Sequence, residues 1–245
     1  EICWHSSDKH NSMNRMVFYR FLIIFLLSPL TYADIDPFQE INEKTHNLNQ
    51  ALDLQVASPV ARLYKNITPD FLEIGVTNFT HNIEDLSIGI NNILQGKLRA
   101  GLSDFSRFTL NSSIGLVGFV DVASHLGFTK HDEDFGQTLA VWGVPDGPYI
   151  VLPGLGPSTM RDTLAMIPDA FLTPLWLIDH DRTSYSLTAI DLVDTRARYL
   201  GLESIVIGDE YLFYRDAYLQ SRSFEIKDGE VEDSFDDFDD FDDFD

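Results

Sequence analysis

Four consecutive residues, His131, Asp132, Glu133 and Asp134, form the run best suited to chemistry in this chain. Adjacent carboxylates on one loop can hold a cation through oxygen ligands. Here neither an EF-hand spacing nor an H-E-x-x-H helix fixes the number or geometry of ligands, so no metal site is assigned. A solvated acidic loop is the simpler expectation. Ser158, His131 and Asp162 supply the residue types of a nucleophilic triad. No G-x-S-x-G elbow is present, and no Walker or dinucleotide glycine pattern follows a strand.

The surrounding stretch, residues 115–161, concentrates glycine and proline. Residues 114–122 are apolar with Gly115 and Gly118 among them, suiting either a buried core helix or a segment dipping into one leaflet. They are too few to span a bilayer, which takes about 20 residues. Pro153, Gly154, Gly156 and Pro157 forbid a continuous helix or a central strand. Ile150–Leu152 suits a short strand or hairpin arm. Ser158 suits the N-cap of a helix beginning at Thr159.

Helices must position this stretch. Ile41, Leu48, Leu52 and Val56 recur at helical spacing, with Asn42, Asn47 and Asn49 between them. Pro59 interrupts that helix, and Thr68-Pro69-Asp70 reads as the start of the next. Apolar stripes follow at Ile83, Leu86, Ile90, Ile93 and Leu94, then at Leu98, Leu102, Phe105 and Thr109, with Arg107 on the far side. The polar faces carry more Asn, Ser and Thr than Lys or Glu. Neutral faces of that kind fit helices against lipid or lining a pore. Phe171–Ile178 is another apolar segment. Residues 184–200 and 210–221 read as helices, the latter presenting Tyr211, Tyr214 and Tyr218, which suit a membrane–water interface or a core edge.

The chain has 245 residues, 44% of them hydrophobic, with a formal charge of −22. Half of that excess lies in the last 21 residues, which hold twelve acidic side chains and one lysine. So acidic a body excludes nucleic acid as a partner through bulk charge. One cysteine, Cys3, allows neither an internal disulfide nor a zinc site. Residues 13–33 form a secretory signal: Arg15 and Arg20, then an apolar run over 21–27, then a cleavage site between Ala33 and Asp34. Residues 1–12 read as upstream sequence. Residues 34–228 form one helical domain. Residues 229–245 repeat Phe-Asp-Asp and are expected to be disordered.

Read in order, the motifs resemble the MlaA/VacJ family. They are DPF at 36–38, NLNQALD at 47–53, PVA at 59–61, NF at 78–79, NIED at 82–85 and NNILQGK at 91–97. RFTLNSSIGLVGFVDVA at 107–123, HDEDFGQTLAVWGV at 131–144, GPYIVLPGLGPSTMRD at 147–162, TRA at 195–197 and YLFYRDAYLQ at 211–220 complete the set. The resemblance implies a mainly α fold: a ring of amphipathic helices in one membrane leaflet around a central polar channel, with short irregular Gly/Pro segments. It implies a non-enzymatic outer-membrane component on the periplasmic face, without cofactor. Such a component removes mislocalised glycerophospholipid from the outer leaflet and passes it to a periplasmic lipid-carrier protein, beside a trimeric porin. A porin-associated tether without transport is the alternative. Under the transport reading, Asn42, Asn47, Asn49, Asn78, Asn82, Asn91 and Asn111 are expected to line the channel. Gly115, Gly118, Phe119, Pro148, Tyr149, Pro153 and Gly156 are expected at its gate or apolar wall. The family's lipobox cysteine is missing, since Ala33 is followed by Asp34, so no lipid anchor is expected.

Overall fold

The computed structural model describes residues 35–173 and 181–230. The leader with its Ala33–Asp34 cleavage site, residues 174–178 of the second apolar segment, and the Phe-Asp repeats all lie outside the described residues. Within them the fold is mainly α. Helices α1 (Gln39–Leu52) and α2 (Ser58–Ile67) are joined by a π-helical turn, Asp53–Ala57. Pro59 therefore does not interrupt. It has no N–H to give, and the wide turn absorbs the mismatch, with Ser58 N–H reaching back to the Asp53 carbonyl. Helix α3 (Asp70–Leu94) follows, with Pro69 rather than Thr68 at its N-cap. Gly96, at φ 85°, turns the chain into α4 (Leu98–Ser113).

Helices α3 and α4 approach closely at Gly89 and Gly101. A Cβ on Gly101 would stand 2.7 Å from the Gly89 carbonyl oxygen. Short helices α5 (Val122–His125) and α6 (Phe135–Val141) come next. The expected hairpin arm is strand β1 (Tyr149–Leu152), paired antiparallel with β2 (Gly156–Thr159) from Tyr149 opposite Thr159 to Leu152 opposite Gly156. Ser158 thus lies in β2, and Thr159 caps α7 (Met160–Leu172) by accepting from the Asp162 N–H. Helix α8 (Asp181–Arg198), a 3-10 turn (Leu202–Ile205) and α9 (Glu210–Ile226) complete the order.

Residues 114–122 form no core helix before Val122. They make a tight loop in which Leu116 and Val117 adopt positive φ, and Ile114, Leu116, Val117 and Val120 are all exposed. Two β-branched or γ-branched side chains in that region cost conformational energy that the loop's anchors must offset.

The packing is inverted relative to a water-soluble bundle. Leu98 and Leu102 of α4 are exposed, while Gly101, Asp104, Arg107 and Asn111 are buried. Phe71 and Ile74 of α3 face outward, whereas Asn82, Asp85, Asn91 and Asn92 face inward. Leu164, Ile167 and Phe171 of α7 are also exposed. No helix among the described residues is long and apolar enough to cross a membrane.

Candidate functional site: a polar interior under an apolar exterior

Three groups of side chains build the interior. The first lies between α3, the end of α4 and α5. Arg107 donates from Nη1 to Ser124 Oγ and the Phe128 carbonyl, each at 2.9 Å, and from Nη2 to both Asp121 oxygens at 3.2 and 3.1 Å. Its Nε lies 3.4 Å from Asp85, and Lys130 Nζ lies 3.8 Å from the other Asp85 oxygen. Burial alone would raise the Asp121 carboxyl. Hydrogen bonds from Ser124, Asn111 and Arg107 outweigh it and hold Asp121 far below the usual carboxylate range. Burial wins at Asp85, which rises to about 6 despite Lys130 and Arg107.

Six of the expected site residues meet in this first group. Asn111 accepts from Ala123 N–H at 2.9 Å and donates to Asp121 at 3.0 Å, so one amide closes the 111–123 loop. Asn82 donates to Ser112 Oγ at 2.9 Å and Asn78 to the Phe119 carbonyl at 3.2 Å, tying the loop to α3. Gly115 admits the Val120 carbonyl, which a Cβ would meet at 2.2 Å, and Gly118 lies against Asn82. The Phe119 ring covers Gly75, where a Cβ would stand 2.0 Å from the ring.

The second group is α1 against the hairpin. Asn42 Oδ1 accepts from Val151 N–H at 2.9 Å, and its Nδ2 donates to the Tyr149 carbonyl at 3.1 Å. Two turns on, Asn49 Oδ1 accepts from Gly154 N–H at 2.7 Å and its Nδ2 donates to the Leu152 carbonyl at 2.9 Å. These amides satisfy the open edge of β1 as a neighbouring strand would. Pro148 accepts from Met160 N–H at 3.0 Å, and Pro153 and Gly156 flank the exposed hairpin turn. Tyr149 is buried against Tyr211 and Tyr218. Those tyrosines therefore sit at a core edge. Asn47, on the other side of α1, is exposed.

The third group joins α6, α7 and α9. Arg222 donates from Nε and Nη2 to Asp162, each at 3.0 Å, and from Nη1 and Nη2 to Asp134 at 2.6 and 2.7 Å. Tyr218 donates to Asp162 at 2.8 Å. Asn91 has no exposed surface; it accepts from Thr138 Oγ1 at 2.9 Å and reaches Asp169 at 3.5 Å. Burial raises Asp169 to about 6.

The 131–134 run is not the expected solvated loop. His131 Nδ1 lies 2.8 Å from Asp104, Glu133 is buried and accepts from Gln95 and Lys97, and Asp134 caps α6. Only Asp132 of the four is exposed. The triad candidates go to separate partners: Ser158 Oγ to Thr163 Oγ1, His131 to Asp104, Asp162 to Arg222. Of the seven asparagines, Asn42, Asn82, Asn91 and Asn111 are buried clamps, Asn49 and Asn78 are half-buried clamps, and Asn47 alone is exposed. An open passage can be lined only by accessible surface, which the buried four lack. Sequence reading missed the buried ions Asp85, Asp104, Arg107 and Arg222. The signal for two of them was present on α4, where positions 101, 104, 107 and 111 form one small and polar stripe.

The family model described as MlaA lipoprotein matches residues 34–225. The intermembrane phospholipid transport system lipoprotein MlaA of Escherichia coli K12 is 33% identical over 204 residues, 80% of each chain. A Rickettsia felis protein is 31% identical over 196 residues, 78% of each chain. A solved structure described as the structural basis for maintenance of bacterial outer membrane lipid asymmetry superposes with a TM-score of 0.71 at 30% identity. It covers 78% of this chain and 98% of that chain. The lipoprotein description of the family model and of the E. coli relative is at odds with the expectation of no lipid anchor drawn from Ala33–Asp34. The fold, the motifs and these matches agree, and the chain belongs to the MlaA family.

Proposed function

We propose that the protein is a non-enzymatic outer-membrane component that withdraws glycerophospholipid from the outer leaflet and passes it to a periplasmic lipid-carrier protein. The helices lie as a ring in the inner leaflet beside a trimeric porin, around a polar channel. The observation that carries this reading is the inverted packing. Leu102 is 63% exposed, Ile167 62% and Phe171 71%, whereas Asn91, Asn92 and Asp104 have no exposed surface. An exterior of that kind is favourable in lipid and unfavourable in water.

A lipid that crosses a bilayer unaided must desolvate its headgroup, at a cost of several kcal/mol. An accessible polar path beside an apolar rim lowers that cost for headgroup and tails separately; the buried side chains hold the helices around such a path and do not line it. The names of the E. coli and Haemophilus influenzae relatives, each an intermembrane phospholipid transport system lipoprotein, support the same reading. The test is outer-leaflet phospholipid content in cells lacking the protein, with and without complementation. Outer-leaflet phospholipid should rise on deletion and return on complementation. Disturbed porin assembly with unchanged lipid content would instead establish the tether.

A further inference from the structure

Helix α2 carries its cations beside an outward apolar stripe. The chain has 39 acidic and 17 basic residues, yet residues 54–69 contain no Asp or Glu, and their only charges are Arg62 and Lys65. Ser58 and Ala61 are buried, and Tyr64 donates to Asp194 at 3.0 Å, which fixes the inward face of the helix. Val60, Leu63 and Ile67 face outward, Leu63 being 59% and Ile67 70% exposed. At about 100° per residue these three fall within roughly 60° of one another around the axis. The outward apolar surface continues along the chain at Phe71 and Ile74 of α3.

The flank of the stripe supplies the second observation. Arg62 projects roughly 100° from Leu63 around the helix and is exposed. No hydrogen bond or ion pair engages it among the described residues. Asp53, whose charge it favours from a distance, is already forked by Arg196 at 2.6 and 2.9 Å. Lys65 stands 3.7 Å from Glu73 in the first turn of α3, so its charge is partly offset. A helix with long cationic side chains beside an apolar stripe lies in the plane of a lipid surface, its stems along the hydrocarbon boundary and its charges among the headgroups. A body of formal charge −22 is repelled by an anionic surface as a whole, and a stretch free of carboxylates is where contact with that surface costs least.

We propose that α2 is an interfacial anchor. Val60, Leu63 and Ile67 enter the acyl boundary of a phospholipid leaflet, and Arg62, with Lys65 beside it, binds the phosphates of its anionic headgroups. The inference rests on the membrane reading above and adds to it a docking helix and a preference for lipid charge. One cation near an anionic surface strengthens binding about fivefold. The apolar stripe supplies the part of the binding that does not depend on lipid charge.

The experiment is flotation of the full chain, purified in detergent, with vesicles of phosphatidylcholine alone or with phosphatidylglycerol added. At low salt Arg62→Gln should lower partition onto the phosphatidylglycerol vesicles about fivefold and leave partition onto phosphatidylcholine within about twofold. Lys65→Gln should act in the same direction but less, because Glu73 already offsets its charge. Raised salt should remove the difference between the wild type and Arg62→Gln. Ile67→Ser should weaken partition onto both vesicle types alike. Lys44→Gln removes an exposed cation paired with Glu40 on α1 and should change neither. The melting temperature of Arg62→Gln should match the wild type, since no partner is lost. Equal losses from Arg62→Gln and Lys44→Gln, or equal losses on both vesicle types with Arg62→Gln, overturn the proposal. Wild-type flotation that responds to none of these substitutions also overturns it and leaves the membrane reading standing, whereas flotation with neither vesicle type overturns both. An Arg62→Gln chain that floats as the wild type does but no longer holds a protein in detergent extracts gives this face to a protein partner instead.

Discussion

Leu102 and Arg107 lie five residues apart on α4, and the helix turns Leu102 outward and Arg107 inward. At about 100° per residue the two side chains point roughly 140° apart, so one helix separates them fully. Leu102 is 63% exposed and Arg107 only 2%. Arg107 → Leu should destabilise the fold by about 3–5 kcal/mol, because Asp85 and Asp121 lose their buried counter-ion. Leu102→Asp should leave stability within about 0.5 kcal/mol, since the site is exposed. It should nonetheless weaken flotation with phospholipid vesicles, because one outward Leu contributes roughly 1.5–3 kcal/mol when buried in lipid. Equal effects of both variants on vesicle binding and on stability would remove the inverted packing as an explanation.

Asn42 and Asn47 share a helix and a residue type but not a task. Asn42→Leu orphans the Val151 N–H and the Tyr149 carbonyl. The expected cost is about 2–4 kcal/mol, one buried unpaired group being worth about 1–3 kcal/mol. Hydrogen exchange at the Val151 amide should accelerate in step. Asn47→Leu should do neither, because Asn47 is exposed.

Glu84 provides a pH test. Burial raises its carboxyl to about 7, with Lys130 and Arg198 opposing and Asp191 and Asp132 adding to the rise. A carboxyl raised in the fold binds its proton more tightly there than in the unfolded chain. Its stabilising contribution is complete below the ordinary value of 4.5 and is lost as pH climbs through about 7. The free energy of unfolding should therefore fall by roughly 1–3 kcal/mol between about pH 5 and pH 8. Asp85, raised to about 6, acts in the same direction. Glu84→Gln should flatten the slope measured by denaturant titration at each pH, and an unchanged slope would assign it to other groups.

Helix positions, the β1 arm and the family motifs were legible in the sequence, because periodicity and punctuation are local properties. The direction of each face was not. The stripe Leu98–Leu102–Phe105 announces an amphipathic helix, but only the solvent decides which face turns inward. In water the leucines go in; here Arg107 does. The clamping amides were visible as an excess of asparagine in α1. Their use was hidden, because the Asn42 partner at Tyr149 lies 107 residues along the chain. The 131–134 run misled for the same reason. Its charges looked solvated until Asp104, Lys97 and Arg222 were brought to them by distant elements.

Arg222 is where the last helix is fastened to the rest. Its guanidinium forks onto Asp162 in the first turn of α7 and onto Asp134 at the N-cap of α6. Both carboxylates face a planar, five-donor group that a lysine ammonium cannot imitate. Asp162 is held below its ordinary value: burial would raise it, and Arg222, Tyr218 and Arg161 more than compensate. Arg222→Ala should cost about 1–3 kcal/mol in urea denaturation, because the buried Asp162 keeps only Arg161 as a cation, while water replaces the guanidinium at the part-exposed Asp134. Arg222→Lys should recover less than half of that loss, because it restores the charge without the fork. Full recovery with lysine would mean that charge alone docks α9. With Arg222→Ala the helix end carrying Phe224 and Glu225 should also loosen, so protease cleavage near residues 222–230 should speed up before global unfolding.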